Sequence, residues 1–171
     1  MKIAETYTIQ NRPGLSISIL RNGSIRSIEA GPIRISMKAA SVFSKSGTNI
    51  YLRKRAENVT FKALLGAESA SQFFVIENKF IAKGIWEGVV YQCKLLLSEK
   101  SSSWEWQVEL INTSSESYEM DIIYVQDVGL KPATESLINE YYVSQYLERL
   151  ILEDNYYGSV VCCRQNTKES V

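Results

Sequence analysis

The sequence predicts a mainly β protein, an antiparallel β-sandwich with one short helical segment near 138–153. Three observations lead to this prediction. Apolar residues recur at every second position through most of the 171 residues, which is the period of a strand with one buried face. Turn-forming pairs such as Asn22-Gly23 separate these runs. Only one segment has its apolar residues at helical spacing.

The first strands are predicted on either side of Asn22-Gly23. Residues 15–20 alternate apolar residues with serine, and Asn-Gly favours a turn with positive φ at both central positions. Apolar positions continue from 25 to 37 and are interrupted at Gly31-Pro32. Further strands are expected at 51–52 and 59–65.

The central strands are the clearest. We expect strands at 73–76, 79–86 and 89–97, followed by strands at 104–111 and 120–128. In the strand at 104–111, Trp104 and Trp106 share an apolar face with Val108 and Leu110, while three polar residues occupy the other face. We therefore expect both tryptophans in the core. Short polar turns between the last three strands predict an antiparallel meander.

The helical segment is predicted at 138–153, where Tyr142, Tyr146, Leu147, Leu150 and Ile151 have helical spacing. Its tyrosines and β-branched residues weaken this prediction. A last strand is expected at 160–163.

Composition excludes several functions. Nineteen basic and nineteen acidic residues give a net charge of zero, which argues against nucleic acid as a partner. Histidine is absent, so the usual general base and the commonest zinc ligand are missing. The three cysteines (Cys93, Cys162, Cys163) suit strand packing in a reducing cytoplasm better than a disulfide framework or a metal site. With no signal-like start and no run of eighteen apolar residues, we expect a cytoplasmic protein without a membrane partner.

Polar side chains with multidentate heads alternate with tyrosine between 127 and 166. They suit either a polar network that fixes the fold or recognition of a polyhydroxylated ligand. Trp86, between Gly84 and Gly88, is the most plausible exposed ring. The candidate carbohydrate-binding or interface residues are Trp86, Asn139, Glu140, Tyr142, Gln145, Arg164, Gln165 and Asn166.

Three carboxylates near this block, on Asp127, Glu140 and Glu148, are candidates for glycoside chemistry, which needs a proton donor and a second carboxylate. A lone carboxylate on an alternating strand more often belongs to a solvated face, and we favour that interpretation. We assign no catalytic residue and no metal ligand.

The same stretch carries a family resemblance, from about Pro13 to the end of the chain. The matching blocks are Asp-Val-Gly-Leu at 127–130, Asn-Glu-Tyr-Tyr-Val-Ser-Gln-Tyr at 139–146 and Arg-Gln-Asn at 164–166. Residues 22–28 look like the opening hairpin. Together they resemble the amino-terminal β-sandwich region of glycoside hydrolase family 94, the cellobiose-phosphorylase-like enzymes. The β-1,2-oligoglucan phosphorylases are the most similar.

The resemblance implies that residues 1–171 form a single, incomplete N-terminal domain, part of a galactose-mutarotase-like super-sandwich. The catalytic (α/α)6 barrel of such enzymes would be absent, so this chain alone would be inactive. The parent enzyme would transfer a hexosyl group to inorganic phosphate, its co-substrate, and would need no other cofactor.

The implied partners are a β-glucan oligosaccharide or disaccharide, the missing barrel domain and a second subunit in a homo-oligomer. The alternatives are a free-standing carbohydrate-binding module and a structural assembly domain.

Overall fold

The computed structural model describes residues 6–134 and 146–166. These residues are almost entirely strands and turns, which confirms the mainly β prediction. The strands are β1 (Thr6–Gln10), β2 (Leu15–Leu20), β3 (Ile25–Ala30), β4 (Ile33–Arg34), β5 (Thr48–Arg55), β6 (Thr60–Ala63), β7 (Gln72–Ile76), β8 (Lys79–Trp86), β9 (Val89–Leu97), β10 (Trp104–Asn112), β11 (Glu119–Gln126), β12 (Lys131–Pro132), β13 (Leu147–Asp154) and β14 (Gly158–Gln165).

The described strands form four antiparallel sheets. The first has the order β1-β2-β3-β4-β12, the second β10-β9-β8-β7 and the third β11-β5-β6. The fourth contains only β13 and β14. We call the first three sheets the body and the hairpin of β13, residues 155–157 and β14 the arm.

One apolar core joins the three sheets of the body. Every second residue of β2 and β9 is buried, as the alternating sequence predicts. The core combines side chains from β1–β3, from β5 and the segment after β6, and from β8 and β9: Ile9, Leu15, Ile17, Ile19, Ile25, Ile28, Ile50, Leu52, Leu64, Leu65, Phe80, Ala82, Tyr91, Cys93 and Leu95.

The tight turns differ in part from expectation. At Asn22-Gly23 only Gly23 has a positive φ, of 77°, so the predicted pair of positive φ values is wrong. The β2–β3 register also shifts between Ser18 and Ile19. Two positive φ values occur instead at Glu77-Asn78 (48° and 61°) and at Glu87-Gly88 (47° and 79°). These are the turns of the β7–β8 and β8–β9 hairpins.

The predicted meander ends one strand early. β10 pairs with β9, but β11 leaves that sheet and pairs along its whole length with β5. Charge explains part of this choice, because the register places Asp121 opposite Arg53 and next to Arg55. The two guanidinium groups neutralise the carboxylate, a pairing that β10 does not offer.

The predicted helix at 138–153 is wrong where the structure describes it. Residues 147–154 form β13, and none of the described residues lies in an α-helix; the rest of the predicted helix falls largely outside the described residues. Leu147, Leu150 and Ile151 fit strand as well as helical spacing, and the apolar strand β14 offers a partner for every residue of β13. Pairing with β14 therefore overrides the helical period.

Candidate interaction surface

The arm has apolar side chains on both faces. Directly opposed residues of an antiparallel pair share a face, and the register pairs Ile151 with Val161 on one side of the ribbon. On the other side, Leu150 is opposite Cys162 and Leu152 is opposite Val160. A ribbon of two strands covers neither face, so these side chains have little to pack against.

The exposed fractions show how little they are covered. Ile151 is 74% exposed, Val161 62% and Leu152 51%. At the tip, Tyr156 and Tyr157 form an edge-to-face pair and are 86% and 77% exposed. A contiguous apolar surface of this kind marks a protein or membrane contact more often than a solvated face.

The backbone of the arm is equally uncovered. In the described part of the chain, neither β13 nor β14 has a neighbour on its outer edge. An isolated two-stranded hairpin is marginally stable at best in water, and open edges are templates for pairing with another strand. Both the side chains and the backbone of the arm are therefore suited to a partner.

A polar contact attaches the base of the arm to the body, because the side-chain amide of Gln165 donates to the Gly129 carbonyl at 2.6 Å. Within the base of the arm, the Asn166 N–H donates to the Tyr146 carbonyl at 2.8 Å. Leu147 is buried at the same end. Arg164 pairs with Glu148 across the arm at 2.6 Å, and this contact raises the pKa of the guanidinium.

The predicted site residues are thus divided. Arg164, Gln165 and Asn166 come together at the base of the arm. Trp86 lies elsewhere, half-buried at the end of β8, where it packs against the core. The predicted residues Asn139, Glu140, Tyr142 and Gln145 lie outside the described residues.

Of the three candidate carboxylates, the structure describes those of Glu148 and Asp127. Glu148 is held by Arg164. Asp127 is half-buried, and burial raises the pKa of its carboxyl, although the backbone N–H groups of Met37 and Lys38 oppose this effect. Within the described ranges, no group of three or more cysteine, aspartate or glutamate residues could hold a metal ion.

A second group of partly exposed apolar side chains lies on β10 and β11, the edge strands of the second and third sheets among the described residues. Trp104 and Trp106 pack against the core but are only half-buried, and Ile122 is 47% exposed. Burial raises the pKa of the Tyr124 hydroxyl, which donates to the Gln126 side-chain oxygen at 2.6 Å. Both tryptophans therefore contact the core, as predicted from the sequence. Their partial exposure to solvent was not predicted.

Sequence reasoning identified apolar residues in the arm but missed the hairpin that they form. The signal was present, because 150–152 and 160–163 are both apolar runs without the polar alternation of a half-solvated strand. Between them stands Asp154-Asn-Tyr-Tyr-Gly158, a turn in which the Asp154 carboxylate accepts from the backbone of Tyr156 and Tyr157 at 2.8 Å each. This pattern describes a hairpin without a buried face.

The described part of the chain contains no helix long and apolar enough to cross a membrane. No curated protein matches the chain. The model of one family matches residues 18–171, and that family is described as the SOGP N-terminal domain. The match covers most of the sequence, and the chain belongs to this family.

This match corrects the family suggested by the sequence blocks. The matching family is the SOGP N-terminal domain and not a glycoside hydrolase family 94 domain, so the resemblance to the cellobiose-phosphorylase-like enzymes was wrong. The function derived from it is corrected too. Nothing in the match indicates a fragment of a glycoside phosphorylase or carbohydrate binding.

Proposed function

We propose that this chain is an assembly domain, in which the β-sheet body carries the arm and the arm docks on another protein surface. One observation carries the proposal. The arm has exposed apolar residues on both faces, with Ile151 and Val161 on one and Leu150 and Leu152 on the other.

Energetics favour a covered arm. Each large aliphatic side chain that moves from water into a packed contact contributes roughly 1.5–3 kcal/mol, before the cost of association is subtracted. In the arm, Ile151, Val161 and Leu152 remain more than half exposed and so lack this burial. A docked partner would supply it and would also pair the open strand edges.

The way the arm is fixed supports the same role. The Gln165 amide bonds to Gly129, three residues after the end of β11, and Leu147 is buried at the base. The body therefore sets the direction of the arm and leaves its middle and tip uncovered. The description of the family as an N-terminal domain suits a module that works beside other protein domains.

The finer classification of the body is also a proposal. A sandwich of the galactose-mutarotase type would pack two large antiparallel sheets face to face. The shared core of the first and second sheets supports such a two-layer arrangement, with the third sheet contributing Ile50 and Leu52.

Site-specific photocrosslinking tests the assembly role. A photoreactive phenylalanine analogue replaces Ile151 in cells that produce the protein naturally, and a matched variant carries it at Lys100, an exposed position in a polar turn of the body. We expect a discrete protein crosslink from position 151 and none from position 100. An arm that forms no crosslink would contradict the assembly role.

A further inference from the structure

We infer that the arm pairs with the arm of a second copy of this chain, β13 against β13 in antiparallel orientation, about a two-fold axis at Ile151. This inference rests on the proposed assembly role and names the partner. It gives the two copies an isologous contact, in which the same residues appear on both sides.

The sequence of β13 is complementary to itself about Ile151. A two-fold axis at this residue places Arg149 of each copy opposite Glu153 of the other, and Leu150 opposite Leu152. Ile151 is then opposite Ile151. Opposite charges and apolar pairs at directly opposed positions both stabilise an antiparallel ladder.

Neighbouring registers lack this match. Only alternate residues of a strand direct their backbone groups toward a given edge, so a strand that pairs with itself must be centred on a residue. A centre at Leu150 places Glu148 opposite Leu152, and a centre at Leu152 places Ile151 opposite Glu153. Both registers oppose a carboxylate to an apolar side chain.

The charges at the ends of the pairing are already satisfied within each arm. The chosen register brings Glu148 opposite Asp154, which are both acidic. Glu148 is held by Arg164 at 2.6 Å, and the Asp154 carboxylate accepts two backbone hydrogen bonds that lower its pKa. The other edge of the arm offers no comparable match, because Arg164 is the only charged residue of β14.

The pairing would convert two marginal ribbons into one four-stranded sheet, in the order β14-β13-β13-β14. Ile151 and Val161 of both copies would form one apolar row across its face, flanked by the Arg149–Glu153 pairs. Three or more strands with an apolar face are the minimum for an independently stable sheet, and the dimer passes that minimum.

Charge reversal tests the register. Arg149→Glu or Glu153→Arg alone opposes like charges twice in the dimer, and each should weaken association about tenfold or more in sedimentation velocity. The double variant restores both pairs and should return to the affinity of the unmodified chain. The two residues are four positions apart in one strand, about 13 Å, so the rescue cannot arise within one copy.

Two results would overturn the inference. One is an unmodified chain that stays monomeric at every concentration. The other is a double variant that associates no better than the single variants. Thermal unfolding of each variant shows whether the body remains folded, so a loss of dimer through misfolding is recognised.

Cysteine crosslinking tests the strand order. In a Cys162→Ser, Cys163→Ser background, Ile151→Cys should give a disulfide-linked dimer on mild oxidation. Val161→Cys is the matched control on the same face. Three strand spacings would separate its two copies by about 14 Å, beyond the reach of a disulfide. Crosslinking through position 161 and not 151 would place β14 at the axis and overturn the inference.

The photocrosslink from position 151 separates this inference from the assembly role. A product of twice the mass of the chain supports both. A product with a different protein supports the assembly role and overturns the pairing of two copies. The absence of any product contradicts both.

Discussion

The carboxylate of Asp127 lies directly against Gly47. A Cβ atom on Gly47 would overlap Cγ and Oδ2 of Asp127, and the Asp127 N–H donates to the Gly47 carbonyl at 2.9 Å. The contact joins the chain before β5 to the end of β11. Two residues further on, Gly129 receives the arm through Gln165. The glycine thus makes room for the carboxylate where the body meets the arm.

Gly47→Ala should lower the free energy of unfolding by about 1–3 kcal/mol, because the new methyl group forces the Asp127 side chain and its neighbours to move. Asp127→Ala in the same chain should recover much of that loss, since it removes the overlapping atoms. Urea unfolding of both single variants and the double variant measures the coupling. Additive effects would contradict the contact.

Asp121 and Asp127 should affect stability in opposite pH ranges. Arg53 and Arg55 lower the pKa of Asp121 below its ordinary 3.8. Its stabilising contribution is therefore present above pH 3.8 and is lost as the pH falls through the lower folded pKa. Asp121→Asn should flatten the loss of stability in acid, as measured by chemical unfolding between pH 2 and pH 6. An unchanged acid limb would contradict the ion pairs.

The contribution of Asp127 to stability changes with pH in the opposite direction. Burial raises its pKa above 3.8, so the folded chain holds the proton more tightly than the unfolded chain. The corresponding stability is present below pH 3.8 and is lost as the pH rises through the folded pKa. Asp127→Asn should remove this decline from the same pH series. A decline that persists in the variant would assign it to another group.

Trp106→Ala should destabilise the body by about 2 kcal/mol, below the roughly 3–5 kcal/mol typical of a fully buried tryptophan. The indole meets the Phe80 ring edge-on, at 6.2 Å between centroids, but is only half-buried. Glu105→Ala, on the exposed face of the same strand, is the control and should change little. Urea unfolding measures both. A cost below about 0.5 kcal/mol for Trp106→Ala would mean that the ring does not support the core.

The cysteines should react in a fixed order. Cys93 is buried in the core, and burial raises the pKa of its thiol to about 12. Cys162 is exposed on the arm. Iodoacetamide followed by peptide mass spectrometry should therefore show labelling of Cys162 in the native chain and of Cys93 only after unfolding. Native labelling of Cys93 would contradict its place in the core.

The body could be predicted from the sequence because its signals are local. The strands at 79–86 and 89–97 are confirmed with the bounds that their alternation and turn pairs predict. β11 could not be placed, since its pairing with β5 brings Asp121 to Arg55 and Arg53, which are 66 and 68 positions away in the sequence. No local pattern contains that information.

The arm was mispredicted for a related reason. Leu147, Leu150 and Ile151 satisfy helical and strand spacing alike, and only the pairing with β14 decides between them. Among the predicted site residues, Arg164 and Gln165 were recognised as polar, but the cross-strand ion pair of Arg164 and the attachment of the hairpin through Gln165 were not predicted. Arg164 contacts Glu148 and Gln165 contacts Gly129 only in the folded chain, so neither role can be recognised from the local sequence.

Residue-resolved hydrogen exchange of the arm, measured by NMR at low and high protein concentration, tests the central claim most directly. Alternate amides of β13 bond to β14, and the others point to the open edge. At high concentration, we expect slow exchange for both sets of amides in β13 and fast exchange for the outward amides of β14. If the outward amides of β13 exchange at the rate of an unfolded chain at every protein concentration, the pairing of β13 with β13 is contradicted.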